Sequence, residues 1–306
     1  MLEYFPFLHD KPFLLKIGYL VLIIALSMVL SMVIGLVLAL PFFGTDILSG
    51  FSTIDNLSDK STVAFLKYFQ VVNQIGVFVL PAILYAYLES RNAPEYLKIN
   101  RKPKLSQLLI SIFIILASIP AINWLVGINE QMHLPDYMRS IENWMRENED
   151  KTNLLTEVFL SVNTISGLAV NLFIIALMAA IGEELLFRGV VLRIFIDWLK
   201  SPHLAVILSS ILFSALHLQF FGFLPRMVLG LLFGYIYVWT GSLWIPIILH
   251  FLFNGVTVVA AYLFNIGMIS TDAESFGSTD NTYIIITSFI ISIFLLLALN
   301  RKKNGN

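Results

Sequence analysis

Long apolar runs recur along this chain of 306 residues, and charged residues, glycine or proline bound each of them. A run of about 20 apolar residues is long enough to cross the hydrocarbon core of a membrane as a helix. Only 13% of the residues are charged, which is about half the fraction found in soluble proteins. Since a backbone in lipid has to satisfy its own hydrogen bonds, helices are the expected structure. The sequence therefore predicts an all-α, polytopic membrane bundle with short interfacial helices.

Bounding the apolar runs in this way gives eight predicted transmembrane helices. A more polar helix over 183–200 is expected between the fourth and the fifth of them, and an amphipathic pattern over 135–150 predicts a helix at the membrane interface. The pattern divides the chain into an N-terminal membrane region (1–156) with three spans, a core (157–265), and a polar loop with the last span and a basic tail (266–306). The predicted spans are 13–40, 63–88, 105–127, 157–182, 203–220, 225–240, 243–265 and 281–300.

Lysine and arginine concentrate in one set of loops, which predicts that those loops are cytoplasmic. The loop after the first span instead carries Asp46, Asp55 and Asp59 against a single lysine, Lys60, and the segment 130–151 is also acid-rich. Both are expected outside. An even number of spans with both termini in the cytoplasm satisfies these asymmetries. The basic residues of the loop after the second span are Arg91, Lys98, Arg101, Lys102 and Lys104.

Composition argues against several kinds of site and partner. The chain has no cysteine, so a disulfide framework, a thiolate nucleophile and a cysteine metal ligand are all excluded, and a metal would need histidine and carboxylate ligands. A net charge of −1 argues against a nucleic-acid partner. The sequence shows no repeat of roughly 20–50 residues, which argues against solenoid folds.

Ionisable side chains interrupt the apolar runs of the second half, beginning with Glu183, Glu184 and Arg188. A charged group at the bilayer centre costs roughly 3 kcal/mol, so such residues are functional candidates by default. In a helix, Glu184 and Arg188 share a face and can form an ion pair, whereas Glu183 points about 100° away. Glu183 is then the carboxylate left to take a proton from water. The alternative is that all three are solvated charges at the end of a span.

Two further pieces of the sequence carry imidazoles. His217 lies one helical turn after Phe213, and His250 lies one turn before Asn254. The second spacing puts an imidazole and a carboxamide on one helix face, which has to face protein or water rather than lipid. His217, a single histidine in an apolar run, is alternatively a hydrogen-bonded packing residue.

Together these residues supply a general base, imidazoles that bind water or donate protons, and an amide donor for an oxyanion. These are the groups that amide-bond hydrolysis requires. The sequence has no His-Glu-x-x-His zinc motif, no Gly-x-Ser-x-Gly elbow and no pair of aspartates within the predicted spans. We therefore expect hydrolysis by an activated water rather than by a serine.

The ordered set of motifs resembles the CAAX protease and bacteriocin-processing family, the Rce1-like or Abi family of intramembrane endopeptidases. The resemblance covers about 157–265, roughly a third of the chain, whereas the first three spans share only the general class. The matching elements are Glu183-Glu184-x-x-x-Arg188-Gly189, Leu212-Phe213-x-x-x-His217, the run Gly230-x-x-x-Gly234-x-x-Tyr237-x-x-Thr240-Gly241-Ser242-Leu243-Trp244, and His250-x-x-x-Asn254.

This resemblance implies a role for each matching residue. Glu183 would activate the attacking water, and His217 would hold that water or protonate the leaving amine. His250 would complete the site, with Asn254 as the donor that stabilises the oxyanion. The residues that support this site would be Glu184, Arg188 and Phe213.

The resemblance leaves metal dependence open. Bound zinc would be held by His217, His250 and either Glu183 or Glu184. Because the use of Glu183 as a ligand removes the obvious base, a mechanism without a cofactor is favoured.

The resemblance also implies a membrane-associated peptide or protein substrate, cleaved in a water-filled conical cavity that opens towards the cytoplasm. A bacterial-type member would lie in the inner membrane. Either tilted spans or a turn within the membrane depth, at Gly222 to Pro225, is expected to bring His217 to the level of His250. The alternatives are a non-catalytic membrane scaffold or bacteriocin self-immunity protein of the same fold, and a proton-coupled transporter, although the sequence shows no paired broken helices. The oligomeric state is left open.

Overall fold

The computed structural model describes residues 6–45, 57–272 and 276–304, and in these ranges all regular secondary structure is helical. The predicted all-α class is confirmed. Asp46 and Asp55, on which the outside position of the first loop partly rests, lie outside the described residues. In chain order the helices are α1 (Phe13–Phe43), α2 (Lys60–Glu89), α3 (Ala93–Tyr96), α4 (Leu105–Glu130), α5 (Arg139–Leu160), α6 (Ile165–Leu199), α7 (Pro202–Ala215), α8 (Phe223–Thr240), α9 (Trp244–Asn265) and α10 (Thr282–Asn304).

Within the described ranges, seven helices are long and apolar enough to cross a membrane, namely α1, α2, α4, α6, α8, α9 and α10. The predicted span 203–220 is wrong in its length, because α7 has only 14 residues. The chain turns after Ala215, and Leu218 adopts a left-handed backbone (φ 54°) that ends the helix. Pro225 then lies in the first turn of α8, where its missing N–H is tolerated.

The fourth predicted span and the polar helix after it form one continuous helix, α6, so the predicted boundary near residue 182 is wrong. Residues up to Leu160 belong instead to α5. Thr164 caps the start of α6 by accepting a hydrogen bond from the backbone N–H of Gly167 at 3.1 Å. The apolar first half and the charged second half therefore belong to one helix. The hydrophobic periodicity of each half, taken separately, does not show that the two halves are continuous.

Two π-helical segments interrupt α6, at Leu172–Met178 and Phe187–Val191. They lie on either side of the pair Glu183 and Glu184. Such wide turns are rare and recur at functional sites, because they change the direction of the side chains that follow them. In this chain they bracket the carboxylates that the sequence marks as candidates.

The middle of α6 lies at the centre of the bundle and packs against α2 and α9. Its side chains at Ala180, Leu186, Phe187, Val190 and Leu192 are buried. Most of α1 and α10 instead exposes leucine, isoleucine and valine, as expected of helices that face lipid. Glu183, Glu184 and Arg188 of α6 are therefore held inside protein rather than at the lipid surface.

Small residues let α7 and α8 approach closely. A methyl group added at Gly230 would lie 3.1 Å from the Cα atom of Ser210, and one added at Gly234 would lie 2.9 Å from Cγ1 of Val206. This is the close helix packing that glycines four residues apart allow. The contact brings α7, and the turn that follows it, against the core of the bundle.

The predicted amphipathic helix is present but longer than expected, since α5 runs over Arg139–Leu160 after a 3₁₀ turn at Asp136–Met138. Its first half exposes Tyr137, Ile141 and Trp144, which suits the boundary between membrane and water. Trp144 also contacts the ring of Phe220, with ring centroids 5.8 Å apart. The helix thus covers the turn between α7 and α8.

The first turn of α5 is anchored by Glu142. Its carboxylate accepts hydrogen bonds from Arg146 at 2.7 Å and from the N–H of Leu134 at 2.9 Å, and it lies 2.8 Å from Nδ1 of His133. The hydrogen bond from Arg146 contributes most, and together these bonds lower the pKa of Glu142 to about 2. The anchor therefore depends on pH in the acidic range.

We expect this anchor to weaken as the pH falls from about 4.5, the ordinary pKa of a glutamate, to about 2. A carboxylate with a depressed pKa in the folded state stabilises the fold above its ordinary pKa and loses that contribution on protonation. This loss of stability is measured by thermal unfolding of the detergent-solubilised protein at a series of pH values from about 6 to about 2. Glu142→Gln, which cannot ionise, should show a shallower loss across this range; the same loss in both proteins would contradict the assignment.

Candidate active site

Three ionisable side chains from separate parts of the chain meet inside the bundle. Nε2 of His217 and Nε2 of His250 each lie 3.9 Å from Oε2 of Glu183. Glu183 comes from α6, His250 from α9, and His217 from the turn after α7. Among the described residues, none of the hydrogen bonds involves the Glu183 carboxylate, so its position beside two imidazoles is the central feature of the site.

Glu184 holds His250 in place from the other side of its ring. Oε1 of Glu184 lies 2.9 Å from Nδ1 of His250 and accepts a hydrogen bond from Nη1 of Arg188 at 2.8 Å. This is the ion pair predicted from the spacing of Glu184 and Arg188. Because a carboxylate paired with arginine accepts hydrogen bonds, Nδ1 of His250 is the donor, and Nε2 of the neutral ring faces Glu183 as an acceptor.

Arg188 is fully enclosed by its partners. Its second terminal nitrogen, Nη2, donates to the backbone carbonyl of Gly230 at 3.2 Å, and its guanidinium lies over the rings of Phe213 and Phe233. Arg188 is 2% exposed and Glu184 is 0% exposed. A pair of buried charges is tolerated only when each charge is matched in this way. The alternative reading, that Glu183, Glu184 and Arg188 are solvated charges at the end of a span, is therefore wrong.

His217 is oriented by the end of α7. Its Nδ1 lies 2.7 Å from the carbonyl oxygen of Phe213, one of the carbonyls in the last turn of a helix that have no partner within the helix. A carbonyl only accepts, so Nδ1 carries the proton and Nε2 of the neutral ring is an acceptor. The backbone turn at Leu218 aims the imidazole back at Glu183.

Aromatic rings enclose the imidazoles. The ring of His250 stacks on Phe233 at 5.3 Å, and Phe213 contacts His217 edge to face at 4.9 Å. Phe213 also lies 6.5 Å from His250. The predicted support by Phe213 thus has a geometric basis in its carbonyl and its ring, although its part in catalysis stays a prediction.

Asn254 lies one turn beyond His250 on α9, and its Nδ2 donates to the carbonyl of Ile175 at 3.2 Å. Ile175 belongs to the first π-helical segment of α6. A carboxamide nitrogen carries two protons, so this bond leaves one of them for a ligand. The role of Asn254 as an oxyanion donor stays a prediction.

A cavity of about 570 Å³ leads to the site, and Glu183, His217 and Asn254 all line it. Glu183 is the one charged side chain among the lining residues. His250 lies behind Glu183 and is 6% exposed. The cavity can hold several residues of an extended peptide, since ligand sites for drug-sized molecules begin at about 300 Å³.

The structure adds residues that the sequence motifs do not contain. Asn129 on α4 accepts a hydrogen bond from the N–H of Leu224 at 2.6 Å and donates to the carbonyl of Phe220 at 3.0 Å. Glu149 on α5 accepts from the N–H of Phe221 at 3.1 Å. These two side chains clamp the turn next to His217. Their signal in the sequence is weak, because a polar residue such as Asn129 at the end of a span is ordinary and Glu149 is one of several acidic residues on an amphipathic helix.

A second missed group lies on α2. Gln70, Asn73 and Gln74 line the cavity from one face of this helix, at the spacing of neighbouring turns. Gln74 is 4% exposed, and its Oε1 has no hydrogen-bond partner within the part of the chain that the structure describes. Three amide side chains on one face of an apolar span are a signal that sequence reasoning can use.

The turn before α8 and the helices that line the cavity determine where the site lies along the bundle. The turn between α7 and α8 occupies residues 216–222, earlier than the expected Gly222 to Pro225, and it places His217 beside Glu183 at the same distance as His250. The cavity, however, is lined by the second half of α5 and the first half of α2, which lie away from the basic loop 90–104. A cytoplasmic basic loop would therefore place this cavity towards the opposite side of the membrane, and both the orientation and the side of opening stay predictions.

Zinc requires a closer set of ligands than these residues form. Ligand bonds of about 2.0–2.1 Å in a tetrahedral site hold the ligand atoms roughly 3.3–3.4 Å apart, whereas each imidazole Nε2 lies 3.9 Å from Glu183. Within the described ranges, no group of three His, Asp or Glu side chains is arranged to hold a metal ion. The donor types suit zinc, but their spacing does not form its coordination set.

Comparison with known proteins places the site within a recognised segment. Residues 165–256 match the family model described as type II CAAX prenyl endopeptidase Rce1-like. This range contains Glu183, Glu184, Arg188, His217, His250 and Asn254, and it extends from α6 into α9.

Two curated bacterial proteins share part of this chain. The uncharacterized protein YpbD of Bacillus subtilis (strain 168) is 30% identical over 90 residues, which cover 28% of this chain and 43% of that protein. The membrane-embedded CAAX protease MroQ of Staphylococcus aureus (strain USA300) is 32% identical over 94 residues, 29% of this chain and 38% of that protein. The chain thus matches less than half the length of either relative.

No solved structure matches the chain significantly. The range that matches the family model nevertheless contains all the motifs that carry the resemblance, since they lie between residues 183 and 254. The predicted resemblance is confirmed: residues 165–256 of this membrane protein are similar to the Rce1-like family of type II CAAX prenyl endopeptidases.

Proposed function

We propose that the chain is an intramembrane endopeptidase in which Glu183 activates the water that attacks a peptide bond. The observation that carries this proposal is the position of Oε2 of Glu183, 3.9 Å from Nε2 of both His217 and His250. Two polar atoms at this separation are too far apart for a direct hydrogen bond and close enough to share one water molecule. The similarity to a membrane-embedded CAAX protease supports proteolysis in general.

The orientation of the imidazoles determines how such a water binds. With Nδ1 protonated in both rings, Nε2 accepts, as does the Glu183 carboxylate. A water between Glu183 and His250 donates one proton to each, and its lone pairs then face the cavity that His217 and Asn254 also line. Glu183 serves as the general base, since it is the carboxylate without an arginine partner.

The reaction then proceeds in two steps. The water oxygen bonds to the substrate carbonyl carbon while its proton moves to Glu183, and the amide N–H of Asn254 stabilises the oxyanion. His217, on the cavity side of the site, takes that proton from Glu183 and passes it to the substrate nitrogen. The C–N bond breaks as the nitrogen receives the proton. The products are one peptide with a new amine and one with a new carboxyl group, which becomes a carboxylate when the second proton of the water passes to solvent. Arg188 and Glu184 do not touch the substrate; they position His250.

The water and protein groups are sufficient for this sequence of steps, so we propose that activity does not require a metal. Treating the purified, reconstituted protein with a zinc chelator should leave its activity unchanged. A loss of activity that added zinc restores would contradict this part of the proposal.

The proposed function is tested by mapping new peptide N-termini. Membranes from cells that produce the wild-type chain are compared by mass spectrometry with membranes that contain Glu183→Gln at the same level. We expect new N-termini close to the spans of membrane proteins in the first sample alone. Identical sets of N-termini would favour a non-catalytic scaffold. Peptides that span the sites found provide substrates for assays with purified protein.

A further inference from the structure

The two ends of the bundle differ in charge, and this difference indicates which end lies in the cytoplasm. At one end, the basic loop 90–104 packs against the turn between α8 and α9: Ser242 donates to the carbonyl of Arg101 at 2.7 Å, and Trp244 donates to the carbonyl of Ile99 at 2.7 Å. The loop carries five lysines and arginines. Basic loops of this length remain in the cytoplasm, so this end of the bundle is the cytoplasmic one.

The opposite end is acidic and carries α5. This helix contains Glu142, Glu147, Glu149 and Asp150, and it packs over the turn at Phe220–Gly222. Acidic segments do not retain a loop in the cytoplasm. The end covered by α5 therefore lies outside.

The cavity reaches Glu183 from this outer end. Thr152, Leu155 and Thr156 of α5 line it, as does Gln219 in the turn before α8. Along α9, the lining residues Asn254 and Thr257–Val258 lie progressively further from Trp244 and the basic loop. Four residues of helix correspond to about 6 Å, so the cavity extends away from His250 in the outward direction.

The cytoplasmic side of the site is closed by packing. Leu243 and Ile245 are 0% exposed, Tyr237 is 1% exposed and Leu97 is 2% exposed. These side chains fill the space between His250 and the basic loop. A peptide that approached from the cytoplasm would have to displace this layer.

We infer that the site is entered from the extracytoplasmic side, and that its substrates are membrane-anchored polypeptides cut in an extracytoplasmic segment next to the membrane. The statement about substrates rests on the proposed peptidase function, whereas the direction of entrance rests on charge and packing alone. Glu183 is the one charged residue of the lining, so the bound segment is an extended and largely uncharged stretch of chain.

The absence of cysteine from the natural sequence makes this inference directly testable. Three variants each introduce a single thiol into the full chain: Glu147→Cys on the exposed side of α5, Thr152→Cys at the cavity wall, and Lys102→Cys in the basic loop. Intact cells of a bacterial host are treated with a membrane-impermeant maleimide, and a second sample is treated after permeabilisation. The second sample gives the total reactive thiol, so a variant that fails to insert or fold is recognised.

We expect Glu147→Cys and Thr152→Cys to react in intact cells and Lys102→Cys to react only after permeabilisation. Reaction of Lys102→Cys in intact cells, with or without that of Glu147→Cys, would overturn the orientation. Failure of Thr152→Cys to react while Glu147→Cys reacts would overturn the entrance. Because labelling requires no proteolysis, these outcomes are independent of whether the chain cleaves peptides.

Discussion

Replacing Glu183 with glutamine should lower the rate of peptide cleavage about 10²–10⁴-fold, the usual contribution of a general base. Glutamine keeps the size of the side chain and its polarity but cannot take a proton from water. The carboxylate makes no hydrogen bond among the described residues and faces the cavity, so its loss should leave the fold intact. The measurement is the cleavage rate of a reconstituted protein on a peptide that spans a mapped site.

The matched control is Glu147→Gln. Glu147 lies on the exposed face of α5, where it forms a salt bridge with Lys151 at 2.9 Å, and its replacement removes the same charge without touching the site. Cleavage by this variant should remain at the wild-type rate. Wild-type activity in Glu183→Gln would remove Glu183 from the mechanism.

Replacing Arg188 with methionine should lower the free energy of unfolding by about 3–5 kcal/mol, the cost of leaving a buried charge without its partner. Glu184 is fully buried and relies on Arg188 and His250. Methionine fills much of the volume of arginine but supplies no charge and no donor for the carbonyl of Gly230. Unfolding in mixed micelles, driven by increasing sodium dodecyl sulfate, provides the measurement.

Two comparison variants separate the charge from the volume. Glu184→Gln combined with Arg188→Met removes both charges and should unfold with a higher free energy than Arg188→Met alone. Arg139→Met removes an arginine from an exposed pair with Asp136 and should cost no more than about 1 kcal/mol. A double variant as unstable as Arg188→Met, or less stable, would show that the network does not act through charge pairing.

The sequence predicts the class of fold well, because the hydrophobic length of a span is a local property. Predicted and observed helices agree most closely for α8 and α9, whose apolar runs end at the polar residues Thr240 and Asn265. The same reasoning failed at α7, whose apolar run continues to residue 220 although its helix ends at Ala215. A reversal of the chain within the membrane has no apolar boundary, so hydropathy does not detect it.

The partners of each carboxylate could be predicted only in part. The spacing of Glu184 and Arg188 predicts their ion pair, since both lie on one face of one helix. That His250 lies between Glu184 and Glu183 depends on how α9 packs against α6, and no local pattern contains this information. The same holds for the clamp of Asn129 and Glu149 on the turn beside His217, which joins three separate helices.

The direction of the cavity relates two expectations from the sequence that disagree: the membrane orientation from the loop charges, and the cytoplasmic opening from the family resemblance. The charge of the loops and the family resemblance gave independent expectations for the orientation and for the opening. The position of α5 over the outer end of the bundle relates the two. The loop charges favour an outer opening, which the labelling of single thiols measures directly.

The central claim is that Glu183, as the base, and His217, as the group that passes its proton to the leaving nitrogen, act in one reaction at one site, and a double-variant cycle in the cleavage assay tests it most directly. The cleavage rates of Glu183→Gln, His217→Ala and the combined variant are compared with that of the wild-type chain. Residues that act as a unit are strongly non-additive, so we predict that the combined variant is no slower than the slower single variant. Rate losses that multiply in the combined variant would show that the two residues act independently, and would contradict a shared site.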